Sequence, residues 1–209
     1  LRHKDPAIRE QALASIRKAD VGLLADILRT GMNSRSREVA LNVVTQSGPD
    51  GFDAFLSLLD DRAIGVAAGA ALFRVAGTVH ADRIPALLTC ARSKPAVKNY
   101  CSQALLKVSH PGAQAQTKAL VAALTDPDPV LRACAAAALG QIGTGARLAN
   151  PALTRALVDA SPAVRLQAAE ALGRIGGSPE AVQALRKALK DESLEVRREA
   201  RSALRRLGA

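Results

Sequence analysis

Seven positions keep a common rhythm along this chain: Arg9, Arg37, Gly65, Lys98, Arg132, Arg165 and Arg197. They recur every 28 to 34 residues or so, the range in which pairs of helices stack into arrays. Other columns move with them. Three residues later stand Ala12, Ala40, Ala68, Cys101, Ala135, Ala168 and Ala200, all small. Seven residues later stand Ile16, Val44, Leu72, Leu105, Leu139, Leu172 and Leu204, all aliphatic. A small and an aliphatic residue four apart share one helical face, so the columns describe one amphipathic helix written seven times.

The ends of that helix are marked as well. Four residues before the rhythm position stand Asp5, Asn33, Asp61, Lys94, Asp128, Ser161 and Ser193, and all but Lys94 are good N-caps. Pro6, Pro95, Pro129 and Pro162 follow at the first helical position, where a missing N–H costs nothing. The sharpest copy runs from Asp159 to Gly177. Ser161 is expected to cap it, Val164, Ala168, Ala171, Leu172 and Ile175 form its buried stripe, and Gly176 supplies a left-handed residue to end it.

These helices are predicted near 6–18, 35–47, 62–76, 95–108, 128–141, 161–175 and 193–207. Shorter apolar segments near 20–30, 51–59, 83–92, 113–124, 150–158 and 178–190 read as partner helices, with glycines between. Each hairpin can bury its apolar face only against its neighbours, so residues 1–209 are expected to form one repeat domain. Only Leu1 to Lys4 precede the first cap, so the first repeat reads as incomplete. With no initial Met, the chain reads as a fragment of a larger protein.

Composition narrows the core. Of 209 residues, 48% are hydrophobic but only 2% aromatic, with no Trp, so Ala, Leu, Val and Ile must do the packing. That suits closely approaching helices. No apolar run is long enough to span a membrane, which suggests a cytoplasmic location. Cys90, Cys101 and Cys134 are odd in number and lack metal-ligand spacing, so a disulfide framework is not expected, and Cys101 reads as a small core residue.

The segments DPDPVLRACAAAALGQIG (126–143), DASPAVRLQAAEALGRIG (159–176) and DESLEVRREARSALRRLG (191–208) resemble HEAT repeats. More narrowly, they are similar to the short HEAT-like repeats of phycobilisome lyases. The resemblance implies an all-α, right-handed α-solenoid of about seven units whose second helices line a concave face. It also implies a structural ladder between repeats, for which Asp126/Arg132, Asp159/Arg165 and Asp191/Arg197 match the family's pair. Gly65 should interrupt that ladder.

No catalytic site emerges. GxSxG, CxxC and phosphate-loop motifs are absent, and the glycine-rich Gly140 to Gly145 follows a helix rather than a strand. His3, His80 and His110 form no His-Glu pair of the kind HEAT-like deoxyhypusine hydroxylases use for iron, and no cofactor or metal is expected. Asp60-Asp61 and Asp126/Asp128 read as helix caps rather than acid–base pairs. The candidate binding residues lie nine beyond the rhythm position: Lys18, Gln46, Arg74, Lys107, Gln141, Arg174 and Arg206. Stacking would line them into a basic stripe, while their place in the last helical turn equally suits capping of free carbonyls. Arg198, Arg201 and Arg205 share one face of the last copy, where they either cap the array in polar residues or bind an anion.

The formal charge of +10 favours acidic partners. The expected function is a non-catalytic protein-binding scaffold working through the concave face, its partner another protein with an acidic surface. Nucleic-acid binding through the basic stripe is the alternative. A bilin lyase component is the third reading, carried by the resemblance.

Overall fold

The computed structural model describes residues 48–59, 61, 65–76, 81–93, 98–108 and 111–209. The helices expected near 6–18, 20–30 and 35–47 lie outside them. The described residues are all-α, with no strand among them. They divide into two compact units, the boundary falling between Val79 and His80.

In the first unit, helices α1 (Gly48–Leu58) and α2 (Gly65–Val75) form a hairpin. Phe52 and Phe55 of α1 and Ala68 and Leu72 of α2 are wholly buried. The rhythm position here is Gly65, and the structure shows why it carries no side chain. A Cβ at Gly65 would lie 2.6 Å from the Leu59 carbonyl oxygen. The Leu59 carbonyl leaves no room here for the basic side chain of other copies.

The second unit holds four hairpins. These are α3 (Ile84–Ser93) with α4 (Lys98–Val108), α5 (Thr117–Ala123) with α6 (Pro129–Ile142), α7 (Asn150–Ala156) with α8 (Pro162–Ile175), and α9 (Pro179–Ala188) with α10 (Leu194–Leu207). Segments of tighter 3-10 helix, Ala81–Arg83, Pro111–Gln116 and Gly143–Ala149, precede α3, α5 and α7. One of them, Pro111–Gln116, takes the start of the segment expected as one helix near 113–124. The small-residue and aliphatic columns behave as their spacing requires. Ala68, Cys101, Ala135, Ala168 and Ala200 are fully buried, as are Leu72, Leu105, Leu139 and Leu172, while Leu204 is 6% exposed.

Second helices pack on one another at very short range. A Cβ added at Gly140 of α6 would sit 3.0 Å from the Ala171 Cα of α8, and one at Gly173 of α8 would sit 2.9 Å from the Ala203 Cα of α10. Backbones this close gain dispersion contacts along their whole length, which is how a core of alanines reaches protein-interior density.

Two local expectations are corrected. Ser161 and Ser193 occupy the N-cap position with extended backbone, yet neither side chain accepts a helix N–H. The Ser193 hydroxyl instead donates to Glu195 at 2.7 Å, and both serine N–H groups donate to Asp159 and Asp191 two residues back, at 2.8 Å. Asp128 and Ser178 do cap α6 and α9 through their side chains. Gly176 ends α8 with φ 93° and ψ 106°, positive but outside the left-handed helical well; Gly208 after α10 lies in it.

The third correction concerns cysteine. Cys90 and Cys101 are joined by a disulfide, and Cys134 is free. Both bridged residues are buried. A gap of 11 residues straddles the α3–α4 turn and sets the last part of α3 beside the first turn of α4. Spacing counted along the chain does not reveal that approach. Denatured without reductant, the chain should therefore titrate one thiol, rising to three after reduction. Three thiols before reduction would show that the bridge does not form. In the native state the Cys134 thiol should react slowly, because burial pushes its pKa up.

Candidate binding surfaces

Arginines at the rhythm position tie each hairpin to the next. Arg132 directs Nη1 at two carbonyls of its own turn, those of Asp126 (2.8 Å) and Pro127 (3.1 Å). Its Nε and Nη2 grip both carboxylate oxygens of Asp159, one repeat on, at 2.8 Å each. Arg165 repeats the arrangement. Nη1 donates to the carbonyls of Asp159 (2.9 Å) and Ala160 (3.2 Å), while Nε and Nη2 hold Asp191 at 2.8 and 2.9 Å. Nη2 also reaches Glu192 at 2.9 Å. Within a copy, then, the Asp and Arg of the family pair meet through a backbone carbonyl; the carboxylate partner belongs to the following copy. Where the rhythm position is lysine, the ladder splits: Lys98 pairs with Asp128 (2.7 Å), and Asp126 takes Arg92 of α3 (2.6 Å). The charges of Asp126 and Asp128 are thus committed to cations and to the turn itself, since Asp128 also accepts from the Val130 N–H.

These pairs set the titration of the fold. Hydrogen bonds from Lys98, Arg132 and Arg165 hold the carboxyls of Asp128, Asp159 and Asp191 below their ordinary range. A carboxylate with a depressed folded pKa stabilises fully above its unfolded pKa, and the gain is lost as pH falls through the folded value. The thermal midpoint should therefore be level between about pH 7 and 5 and fall below about pH 4, the unfolded aspartate value. A decline centred near pH 6 would implicate other groups.

The predicted stripe is only partly described. Lys18 and Gln46, like the three histidines, lie outside the described residues. Arg74 belongs to the last turn of α2, in the first unit. In the second unit Lys107 is exposed at the end of α4. Gln141 and Arg174 line one groove with Leu106, Ala137, Gln167 and Glu170, a cavity of about 160 Å³ between α4, α6 and α8. Arg174 pairs with Glu170 at 2.7 Å, and Arg206 of α10 with Glu199 at 2.9 Å. At these two positions the positive charge is matched by a glutamate. Glu170 escaped the sequence reading, although it stands one helical turn before Arg174, a spacing that favours pairing. No group of side chains suited to hold a metal ion occurs among the described residues, and no helix there is long and apolar enough to cross a membrane.

The HEAT repeats family profile matches residues 117–205, somewhat under half the chain. No curated protein sequence matches the chain. Among solved structures, similar folds include an engineered protein (TM-score 0.57, 22% identity, 91% of this chain and 97% of the other covered). A designed armadillo repeat protein in complex with the peptide (KR)4 is similar as well (0.57, 18% identity, 90% and 100% covered). So is a computationally designed armadillo repeat protein for modular peptide recognition (0.53, 20% identity, 90% and 99% covered). At such identities the likeness is one of fold: stacked helical repeats. Residues 117–205 match the HEAT repeats family, and the described residues share the fold of stacked helical repeats.

Proposed function

We propose that this chain is a non-catalytic protein-binding scaffold whose second-helix groove receives an extended segment of another protein. The observation that carries the reading is the groove between α4, α6 and α8. Its small residues, Ala137, Gly140 and Ala171, leave space, and Gln141 and Gln167 each add an amide able to donate to and accept from a peptide main chain. Support by analogy comes from two proteins of similar fold, one in complex with a peptide and one designed for modular peptide recognition. The Glu170–Arg174 pair makes the groove nearly neutral, so it favours a peptide of mixed charge over a uniformly acidic one.

Peptides selected from a display library on the wild-type chain should bind about tenfold or more weakly to a Gln141→Ala/Gln167→Ala variant. If the selected set binds both equally, the groove is not the site. Nucleic-acid binding is favoured by the net charge of +10 and opposed by the paired state of Arg174 and Arg206. Duplex and single-stranded DNA titrated at low salt decide it, because phosphate contacts give steep salt dependence.

A further inference from the structure

We infer that the cleft between α7 and α9, apolar at its floor and cationic at its rim, receives an acidic segment of a partner protein anchored by one large apolar side chain. The cleft shares no lining residue with the groove between α4, α6 and α8, so the inference does not depend on that reading.

Leu157 and Val158 at the end of α7 face Ala184, Lys187 and Ala188 of α9 across a hollow of about 260 Å³. Leu157 and Ala188 are buried and form its floor, while Val158 stands at the edge, 84% exposed. An aliphatic side chain so bare beside an apolar hollow gains by contact with another. The volume falls short of the roughly 300–1,000 Å³ of small-molecule sites, so the hollow suits one side chain of a larger partner.

Charge decides the kind of partner. Lys187 and Lys190 are exposed where they line the cleft. Counted back from the ladder aspartates Asp159 and Asp191, Arg155 is the counterpart of Lys187, and Val158 that of Lys190. Arg155 and Val158 stay exposed although α9 and α10 follow them, so stacking of a next hairpin does not cover these positions. None of the three cations makes a hydrogen bond or ion pair through its side chain among the described residues. Asp191, the acid in the cleft, has both carboxylate oxygens held by Arg165, and Glu192 accepts from the same guanidinium. Glu180, the acid of α9, stands at the opposite end of the helix. The nearby acids are thus engaged and the rim keeps its positive charge, which selects carboxylates around the anchor. A membrane surface is met by a protruding apolar face rather than a hollow. Single-stranded nucleic acid is met by stacking aromatics, which neither helix carries. A protein segment supplies both the side chain and the charge.

The test uses a fluorescein-labelled peptide with one leucine flanked by aspartates, and a twin with alanine in place of the leucine. Binding is followed by anisotropy, and circular dichroism checks the fold of each variant. The leucine peptide is expected to bind about tenfold more tightly than its twin. Lys187→Ala/Lys190→Ala and Val158→Asp, all at exposed positions, should each weaken its binding about tenfold. Lys118→Ala, which removes an exposed charge of α5 outside the cleft, should leave it unchanged. The inference is overturned if the wild-type chain does not bind the leucine peptide, if the twin binds as tightly, or if either cleft variant keeps full affinity. Equal weakening by Lys118→Ala would overturn it as well, since the attraction would then be diffuse. So would tighter binding of duplex DNA or phosphatidylserine vesicles with the same dependence on Lys187 and Lys190.

Discussion

Replacing Arg165 by alanine is expected to cost about 3–5 kcal/mol of folding stability, the range for stranding one member of a buried ion pair. The side chain is 8% exposed and the Asp191 carboxylate opposite it 9%, so each shields the other from water. The substitution takes away the fork on Asp191, the bond to Glu192 and two bonds to the carbonyls of Asp159 and Ala160. It leaves a buried carboxylate with only the Ser193 N–H as a partner in the turn. In a stack where each unit rests on its neighbour, the loss should appear first as release of the α9–α10 hairpin. Chemical denaturation followed by circular dichroism measures the cost. A double variant, Arg165→Ala with Asp191→Leu, should recover much of it, because no unpaired charge remains. A loss below about 1 kcal/mol for the single variant would mean that the pair behaves like an exposed one.

The second large effect reverses an ordinary rule. Glycine inside a helix costs about 0.5–1 kcal/mol relative to alanine, so Gly173→Ala should stabilise α8 considered alone. In the folded chain the new Cβ would stand 2.9 Å from both the Cα and the Cβ of Ala203. Backbone cannot rotate out of the way, so α8 and α10 must separate along their contact. We expect Gly173→Ala to destabilise by about 1–3 kcal/mol, as overpacking does, and Gly173→Leu to cost more. Gly140→Ala, at 3.0 Å from the Ala171 Cα, should behave similarly but more mildly. A rise in the thermal midpoint for Gly173→Ala would show that the helices have slack to accommodate a methyl group.

Much of the architecture is legible in local chemistry. α6, α8 and α10 begin and end within about two residues of where Asp, Ser, Pro and Gly punctuate the sequence, because those signals act over one turn of chain. The alternation of small and aliphatic residues finds the core for the same reason. What a column of like residues does across copies is harder to read. The candidate residues Gln141 and Arg174 do line one groove, but Arg174 and Arg206 are each matched to a glutamate that their column alone does not show. The serine caps also depart from the sequence reading: neither hydroxyl accepts a helix N–H, and that of Ser193 donates to Glu195.

By itself the sequence determined the helical repeat and the core columns of the described copies, since periodicity is a property of neighbours along the chain. Only the tertiary structure decided which carboxylate Arg132 and Arg165 hold, that Cys90 meets Cys101, and that Gly173 has no room for a methyl group. Each of these is a matter of a few tenths of an ångström to a few ångströms between residues many positions apart. Such distances are fixed by how one hairpin settles on the next, and no spacing within a single copy encodes them.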